Sequence, residues 1–334
     1  MERREFCRLL GICGLAACTG GLSGCARALQ WSDTRHADTV TREFGAAPPS
    51  IGTTASAGAT SPPAAQASPD IAVATGDDPA ANTRLAVEIL GGMGGFVRKG
   101  AHVVIKPNIV IAREPQYGVT TNPAAVAAVV KMCWDAGAAS VTVFDRPTAP
   151  TLQAYAVSGI KKAVQDAGGT MKVLADRDFE RISIPKGRIL TSWPVLTDIF
   201  DADVMINMPC AKTHGEAGLT LSMKNLWGVM GGDRGLLHQD LMQKIVDANS
   251  LIKPQLVILD AFRLLFRNGP TGGGLQDVKP GRTCIAGTNQ VSVDAYGTSL
   301  FDMQPTDLAY VKLAADQGLG IADLAKLRIE KRSV

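Results

Sequence analysis

The chain has 334 residues, with 34 Lys and Arg against 31 Asp and Glu and 46% hydrophobic residues. A formal net charge of +3 leaves no electrostatic footprint for nucleic acid. The seven cysteines contain no CxxC pair, so neither a zinc knuckle nor a ferredoxin-type cluster is indicated.

The first element is a leader. Arg3, Arg4, Glu5 and Phe6 resemble the twin-arginine export signal. An uncharged apolar stretch follows over residues 9–24, short of the ~20 apolar residues that a membrane-spanning helix needs. It ends in Leu22-Ser23-Gly24-Cys25, which looks like a bacterial lipobox. In such signals the cysteine is acylated and becomes the new N-terminus. The expectation is an exported protein held at a bacterial membrane through lipid on Cys25, facing the periplasm or the cell exterior. Several acyl chains together hold a protein firmly where one does so only marginally.

Residues 46–69 carry no charge and little beyond Ala, Ser, Thr, Gly and Pro. Such a stretch buries too little apolar surface to offset the entropy of ordering it. Residues 26–69, including 31–44, read as a flexible, solvated spacer. Residues 70–334 are long and apolar enough for a single domain with a substantial core. Its cysteines, Cys133, Cys210 and Cys284, are expected as buried free thiols.

Candidate strands in this domain are residues 71–75, 102–106, 140–144, 172–175, 203–207, 256–259 and 283–286. Several are continuous Val/Ile runs, the pattern of strands covered on both faces. Between them lie helical patterns. Asn122-Pro123 marks an N-cap and first helical position, with Gly137 as the stop. Residues 152–167 run as one helix to Gly168-Gly169, another helix starts near Leu236, and a further one spans 289–300. The alternation predicts an α/β fold, a mostly parallel sheet with helices on both faces. The glycines at 91, 92, 94 and 95 are no dinucleotide fingerprint, because they follow a helix and precede a strand.

In open α/β sheets, ligands bind beyond the carboxyl ends of the strands. Four candidate strands end there in polar groups: Lys106-Pro107-Asn108, Asp145-Arg146, Asn207 and Asp260. Residues 204–240 are the densest in chemistry-bearing side chains, bringing Lys212, His214, Lys224, His238 and Asp240 close in sequence. A strand followed by a Gly-rich polar loop lets backbone N–H groups face an anion. Lys212 and Lys224 would add charge there, and His214 would serve as base, acid or metal ligand. Trp227 reads as a packing residue beside this loop, and no Gly-x-Ser-x-Gly elbow follows a strand.

These markers resemble the bacterial and archaeal domain of unknown function 362. They are Ile105-Lys106-Pro107-Asn108, Thr121-Asn122-Pro123, Asn207-Met208-Pro209, Lys212-Thr213-His214, Ser222-Met223-Lys224-Asn225-Leu226-Trp227-Gly228, Asp260 before Asn268-Gly269-Pro270, and Val293-Asp294-Ala295. Relatives often carry Lys where Cys210 stands, and many have a Cys-rich ferredoxin-like extension not seen in this sequence. The resemblance implies an α/β fold and a cofactor- or redox-linked activity whose reaction is unassigned.

The leading expectation is an enzyme that needs a metal or an organic cofactor. Lys106, Lys212 and Lys224 would position anionic groups, and His214 would handle protons or metal. Asn108, Asn207 and Asn225 would orient the ligand by hydrogen bonds. Asp145, Asp260 and Asp294 would hold metal or orient cations, with Asp294 equally readable as a helix cap. The alternative is a surface-tethered binder of a small anionic ligand that performs no chemistry.

Overall fold

The computed structural model of the chain describes residues 40–42, 68–148 and 150–334. The leader, Cys25 and most of the spacer lie outside the described residues. From the N-terminal side the elements are β1 (Ile71–Thr75), α1 (Pro79–Ile89), β2 (His102–Pro107), α2 (Pro123–Asp135), β3 (Ser140–Val143), α3 (Thr151–Val157) and α4 (Ile160–Asp166). Then come β4 (Thr170–Met171), β5 (Phe179–Ser183), β6 (Ser192–Leu196), α5 (Asp198–Asp201), β7 (Val204–Met208), β8 (Cys210–His214), β9 (Gly218–Thr220) and α6 (Ser222–Asn225). The chain continues through α7 (Leu241–Leu251), β10 (Leu256–Leu265), β11 (Val278–Gly287), α8 (Gln290–Thr298), α9 (Ala309–Asp316) and β12 (Ile329–Ser333).

The main sheet runs in the order β12-β1-β11-β10-β7-β2-β3-β4. All neighbours along it are parallel except those of β11, which runs against both β1 and β10. The expected mostly parallel α/β sheet is therefore what forms. Its pleat divides the apolar residues between two layers. Val103, Ile105, Val141, Val143, Ile206 and Ile258 pack with α1, α2 and α4 on one face. Val104, Met205, Val257, Leu259 and Ile285 pack with α6, α7, α8 and α9 on the other. The α2 start is as the sequence indicates: Asn122 accepts from the Ala124 amide at 3.0 Å, and Gly137 follows the helix with φ 91°.

Several local expectations are corrected. The strand placed at 172–175 is Thr170–Met171; the Lys172 amide still donates to Val143 O at 2.9 Å, and its side chain pairs with Asp198 at 2.8 Å and Asp178 at 3.3 Å. The single helix over 152–167 is two, broken at Gly159, whose φ of 73° no helix accommodates. The strands at 256–259 and 283–286 are the inner parts of two ten-residue strands, β10 and β11. Near Leu236 stands a short 3₁₀ turn (Arg234–His238), and the α-helix begins only at Leu241.

The Gly-rich loop expected after Asn207 is instead a hairpin, β8 and β9, whose first strand pairs with β10. β5 and β6 form a separate two-stranded ribbon. The spacer is not solvated throughout: Val40 bridges β5 in parallel, its amide donating to Arg181 O and its carbonyl accepting from Ser183 N, both at 3.1 Å. Arg42 adds ion pairs to Asp201 at 2.6 Å and Glu180 at 3.2 Å.

Removal of this strap has a local signature. A chain starting at Gly45 should exchange the Ser183 amide about tenfold faster or more. The Ile184 amide, which donates to Thr191 within the ribbon, should change little in the same hydrogen-exchange measurement.

Candidate functional site

The parallel strands carry their polar endings to one edge, where a cavity of about 620 Å³ opens. Lys106 and Asn108 arrive from the end of β2, Asp145 and Arg146 from beyond β3, and Lys212 and His214 from β8. Register explains the last pair. Residues i and i+2 of a strand share a face, and Thr220 of β9 stands opposite Lys212. Lys224, Asn225 and Trp227 are supplied by α6 and the 3₁₀ turn after it, and Arg234 and His238 come from the following loop.

At the floor lies a buried ion pair. Lys106 Nζ is 2.8 Å from Asp145 Oδ1, with side chains 1% and 5% exposed. The other Lys106 donors go to Pro107 O at 2.7 Å and Asn225 Oδ1 at 3.1 Å. Asp145 accepts further from the Ile109 amide at 2.5 Å and the Arg146 amide at 2.9 Å. Burial pulls the Lys106 amine below its ordinary range, and the Asp145 carboxylate opposes this. Gly228 presses against the pair: a Cβ there would lie 1.8 Å from Asp145 Oδ1 and 2.6 Å from Lys106 Nζ.

An amide relay orders the neighbouring groups. Asn207 accepts from Asn225 Nδ2 at 2.7 Å, and Asn225 Oδ1 accepts from Asn108 Nδ2 at 2.8 Å. Asn108 Oδ1 then accepts from Lys212 Nζ at 2.9 Å. Lys212 donates also to Val119 O at 2.6 Å and has no carboxylate partner among the described residues. Burial lowers its pKa. Asn207 is fully buried behind this relay, bonded to Ser222 O and Gln290, and does not line the cavity. It orients Asn225 rather than a ligand.

Lys224 differs from the other two lysines. Its side chain is buried, its Nζ sits 4.5 Å from the Trp227 ring centroid, and among the described residues it has no hydrogen bond or ion pair. Burial brings it to about 7, with Arg234 and Lys212 adding to the shift and Glu216 opposing it. Two more buried groups of the lining lack partners, Trp227 Nε1 and Thr220 Oγ1. Trp227 is thus the packing residue expected from sequence and also an unused donor.

His214 is half-buried. Its Nδ1 accepts from the Glu216 and Ala217 amides, both at 3.2 Å, which assigns the proton to Nε2. Burial first, then the Lys224 charge, lowers it to about 4. At neutral pH it is an uncharged donor. Its ring stacks 6.1 Å from that of His238, whose Nδ1 contacts Glu216 Oε2.

The expected metal set of His214, Asp260 and Asp294 is not brought together. Asp260 lies within β10, taken up by the Asn122 amide at 2.6 Å and the Phe262 amide at 3.0 Å. Asp294 caps α6, accepting from the amides of Ser222 at 2.7 Å and Met223 at 2.9 Å and from the Ser222 hydroxyl. A metal on His214 Nε2 would require a proton on Nδ1, where two amide donors already point. Among the described residues no three His, Cys, Asp or Glu side chains are arranged around a common metal position.

The sequence pattern assigned no role to Arg234, Thr220 or Gly228, although Gly228 closes the marker that begins at Ser222. Arg234 donates to Arg146 O at 2.8 Å and Pro147 O at 3.1 Å, fastening the loop to the end of β3. Only Thr220 had a local signal, the alternating hairpin pattern flanked by Gly215 and Gly218.

The fold and site define an α/β-sheet protein with a cation-rich cavity at its strand ends. The chain belongs to the family described as domain of unknown function (DUF362), whose model matches residues 103–299. A curated relative, the thylakoid-associated protein sll1697 of Synechocystis, is 28% identical over 255 residues, covering 72% of this chain and 75% of that protein. Among solved structures, the lactate racemase apoprotein of Thermoanaerobacterium thermosaccharolyticum aligns with a TM-score of 0.40 at 13% identity, over 68% of this chain. A Thermotoga maritima protein aligns with a TM-score of 0.39 at 11% identity, over 72% of this chain. The chain spans only 56% and 60% of the lengths of those two structures.

Because Gly228 leaves no room for a methyl group, Gly228→Ala should part Lys106 from Asp145. We expect a loss of about 3–5 kcal/mol, as when a buried pair is broken, measured by denaturant unfolding. A variant of unchanged stability would show that the pair is not held by this contact.

Proposed function

We propose that the chain is an exported, lipid-anchored protein whose cavity takes up a small anionic molecule and transforms it. The observation that carries this reading is Lys224, a buried side chain lining the cavity whose ammonium has no hydrogen bond or ion pair among the described residues. A charge held in low dielectric is costly unless it is paired. An anion in the cavity would supply that partner. Trp227, Thr220 and His214 line the same cavity, and among the described residues Trp227 Nε1 and Thr220 Oγ1 have no hydrogen-bond partner. Lys212 adds positive charge, with Arg146 and Arg234 at the rim.

Chemistry rather than passive capture is supported by the titration of Lys224 near neutral pH. An amine so placed gives or takes a proton readily at working pH. An organic cofactor bearing anionic groups would be held by the same donors. Lys106 and Asp145 have a different task, fixing the scaffold on which the other groups stand.

The lipobox-like sequence at Cys25 supports attachment to a membrane, and the relative named as thylakoid-associated agrees with a membrane setting. With Val40 strapped to the domain, residues 26–39 alone would separate it from the lipid, a reach of at most about 50 Å.

Oxalate tests the cavity, since its charge is constant over the relevant pH range. Its affinity should fall as pH rises through about 7, where Lys224 loses its proton. The loss between pH 6 and 8 should approach about tenfold. Lys224→Arg should bind without this pH dependence, and Lys224→Met should bind weakly throughout. A flat wild-type profile, or tight binding by Lys224→Met in calorimetry, would remove the reading.

The tether is tested separately. Cys25→Ser should move the protein from the membrane to the soluble fraction of exporting cells. Retention in the membrane fraction would refute the lipid anchor.

A further inference from the structure

Three lysines reach the cavity, and their surroundings assign them different chemistry. Lys106 is committed to Asp145, Pro107 O and Asn225. Lys212 is bound to Asn108 and Val119 O. Neither can release its nitrogen lone pair without breaking buried bonds. Lys224 has no such bonds among the described residues, and the Trp227 ring fixes its nitrogen. The same cavity is lined by His214, an uncharged imidazole with its proton on Nε2, and by Thr220, whose buried hydroxyl has no partner among the described residues.

We propose that Lys224 is an imine-forming lysine, and that the anionic molecule taken up by the cavity bears an aldehyde or ketone next to its anionic group. This rests on the reading of the cavity as an anion site and names the substrate class for it. The Lys224 nitrogen attacks the carbonyl carbon, and the carbonyl oxygen gains a proton from His214 Nε2 to give a carbinolamine. A C=N bond then forms as the oxygen leaves as water. Both hydrogens of that water come in sum from the amine, and the proton lent by His214 returns to it. No oxidant or reductant is consumed. Arg146, Arg234 and Lys212 would hold the anionic end, while Thr220 Oγ1 would bond the carbinolamine hydroxyl. The near-neutral titration of Lys224 supports this geometry, since only the unprotonated amine is a nucleophile.

Glyoxylate is the probe, an anionic aldehyde close in shape to oxalate, used with cyanoborohydride to reduce any imine to a stable carboxymethyl-lysine. At pH 7 and limiting glyoxylate, peptide mass spectrometry should find Lys224 modified about tenfold faster or more than the exposed Lys99 and Lys162. Oxalate should protect it. Lys224→Arg should lose the fast modification while its denaturant unfolding midpoint stays within experimental error of the unsubstituted protein, which shows an intact fold. If Lys224 is modified no faster than the exposed lysines while oxalate still binds, the imine is refuted and the anion site stands. Fast modification without oxalate binding or protection would keep the imine and refute the anion site. Failure of both measurements would refute both.

Discussion

The site depends on one buried ion pair, Lys106 with Asp145. Removing two such charges from water costs several kcal/mol per ion, and their attraction offsets this only when the remaining hydrogen-bonding capacity is also met. Here it is met. Lys106 spends its other donors on Pro107 O and Asn225 Oδ1, and Asp145 accepts from two backbone amides. Together these bonds tie three segments to the pair: the end of β2, the end of β3 and the α6 turn. Gly228 is the packing condition for all of them, because any side chain there would occupy the place of the Asp145 carboxylate.

That pair uses the Asp145 carboxylate at the cavity floor. Lys212 and Lys224 stand in the same low-dielectric region without one among the described residues. Their charges therefore act on each other and on His214, and the depressed Lys224 and His214 pKa values share this origin in burial and uncompensated cations. Under the proposed function, an anionic guest would supply the partner that these cations lack among the described residues.

How much of this could be read from sequence depended on distance along the chain. The endings of β2 and β3 were visible because a Val/Ile run followed by Lys106 or Asp145 is a local pattern. The approach of Lys212, His214 and Lys224 was visible because they lie close in sequence. Asp260 and Asp294 looked equivalent to Asp145 as carboxylates. What separates them is which amides point at them: those of Asn122 and Phe262 at Asp260, and those of Ser222 and Met223 at Asp294. The donors to Asp294 lie some 70 residues away along the chain, where no spacing rule reaches. The same holds for Gly228, whose meaning is set by a contact with the ends of β2 and β3.

The β5–β6 ribbon shows why a segment that looked peripheral belongs with the site. Phe179 of β5 fills the space beside Gly231, and the Arg146 guanidinium lies 5.3 Å from the Phe179 ring centroid. Trp193 Nε1 of β6 donates to Gly231 O at 3.1 Å, and Arg146 donates to Met230 O and Gly232 O. The rim of the cavity is therefore built on the ribbon as much as on the main sheet. Val40 and Arg42 hold the outer edge of the same ribbon. Alternating polar and apolar residues suffice to form such a ribbon, but not to hold it alone, since an isolated two-stranded unit is marginal in water. Burial of Ile182, Val195 and Leu196 in the main core makes up the difference, with the strap on one side and the Arg146–Phe179–Gly231 contacts on the other. Val40 and Arg42 thereby belong to the framework of the ribbon on whose inner side Arg146 and Gly231 stand.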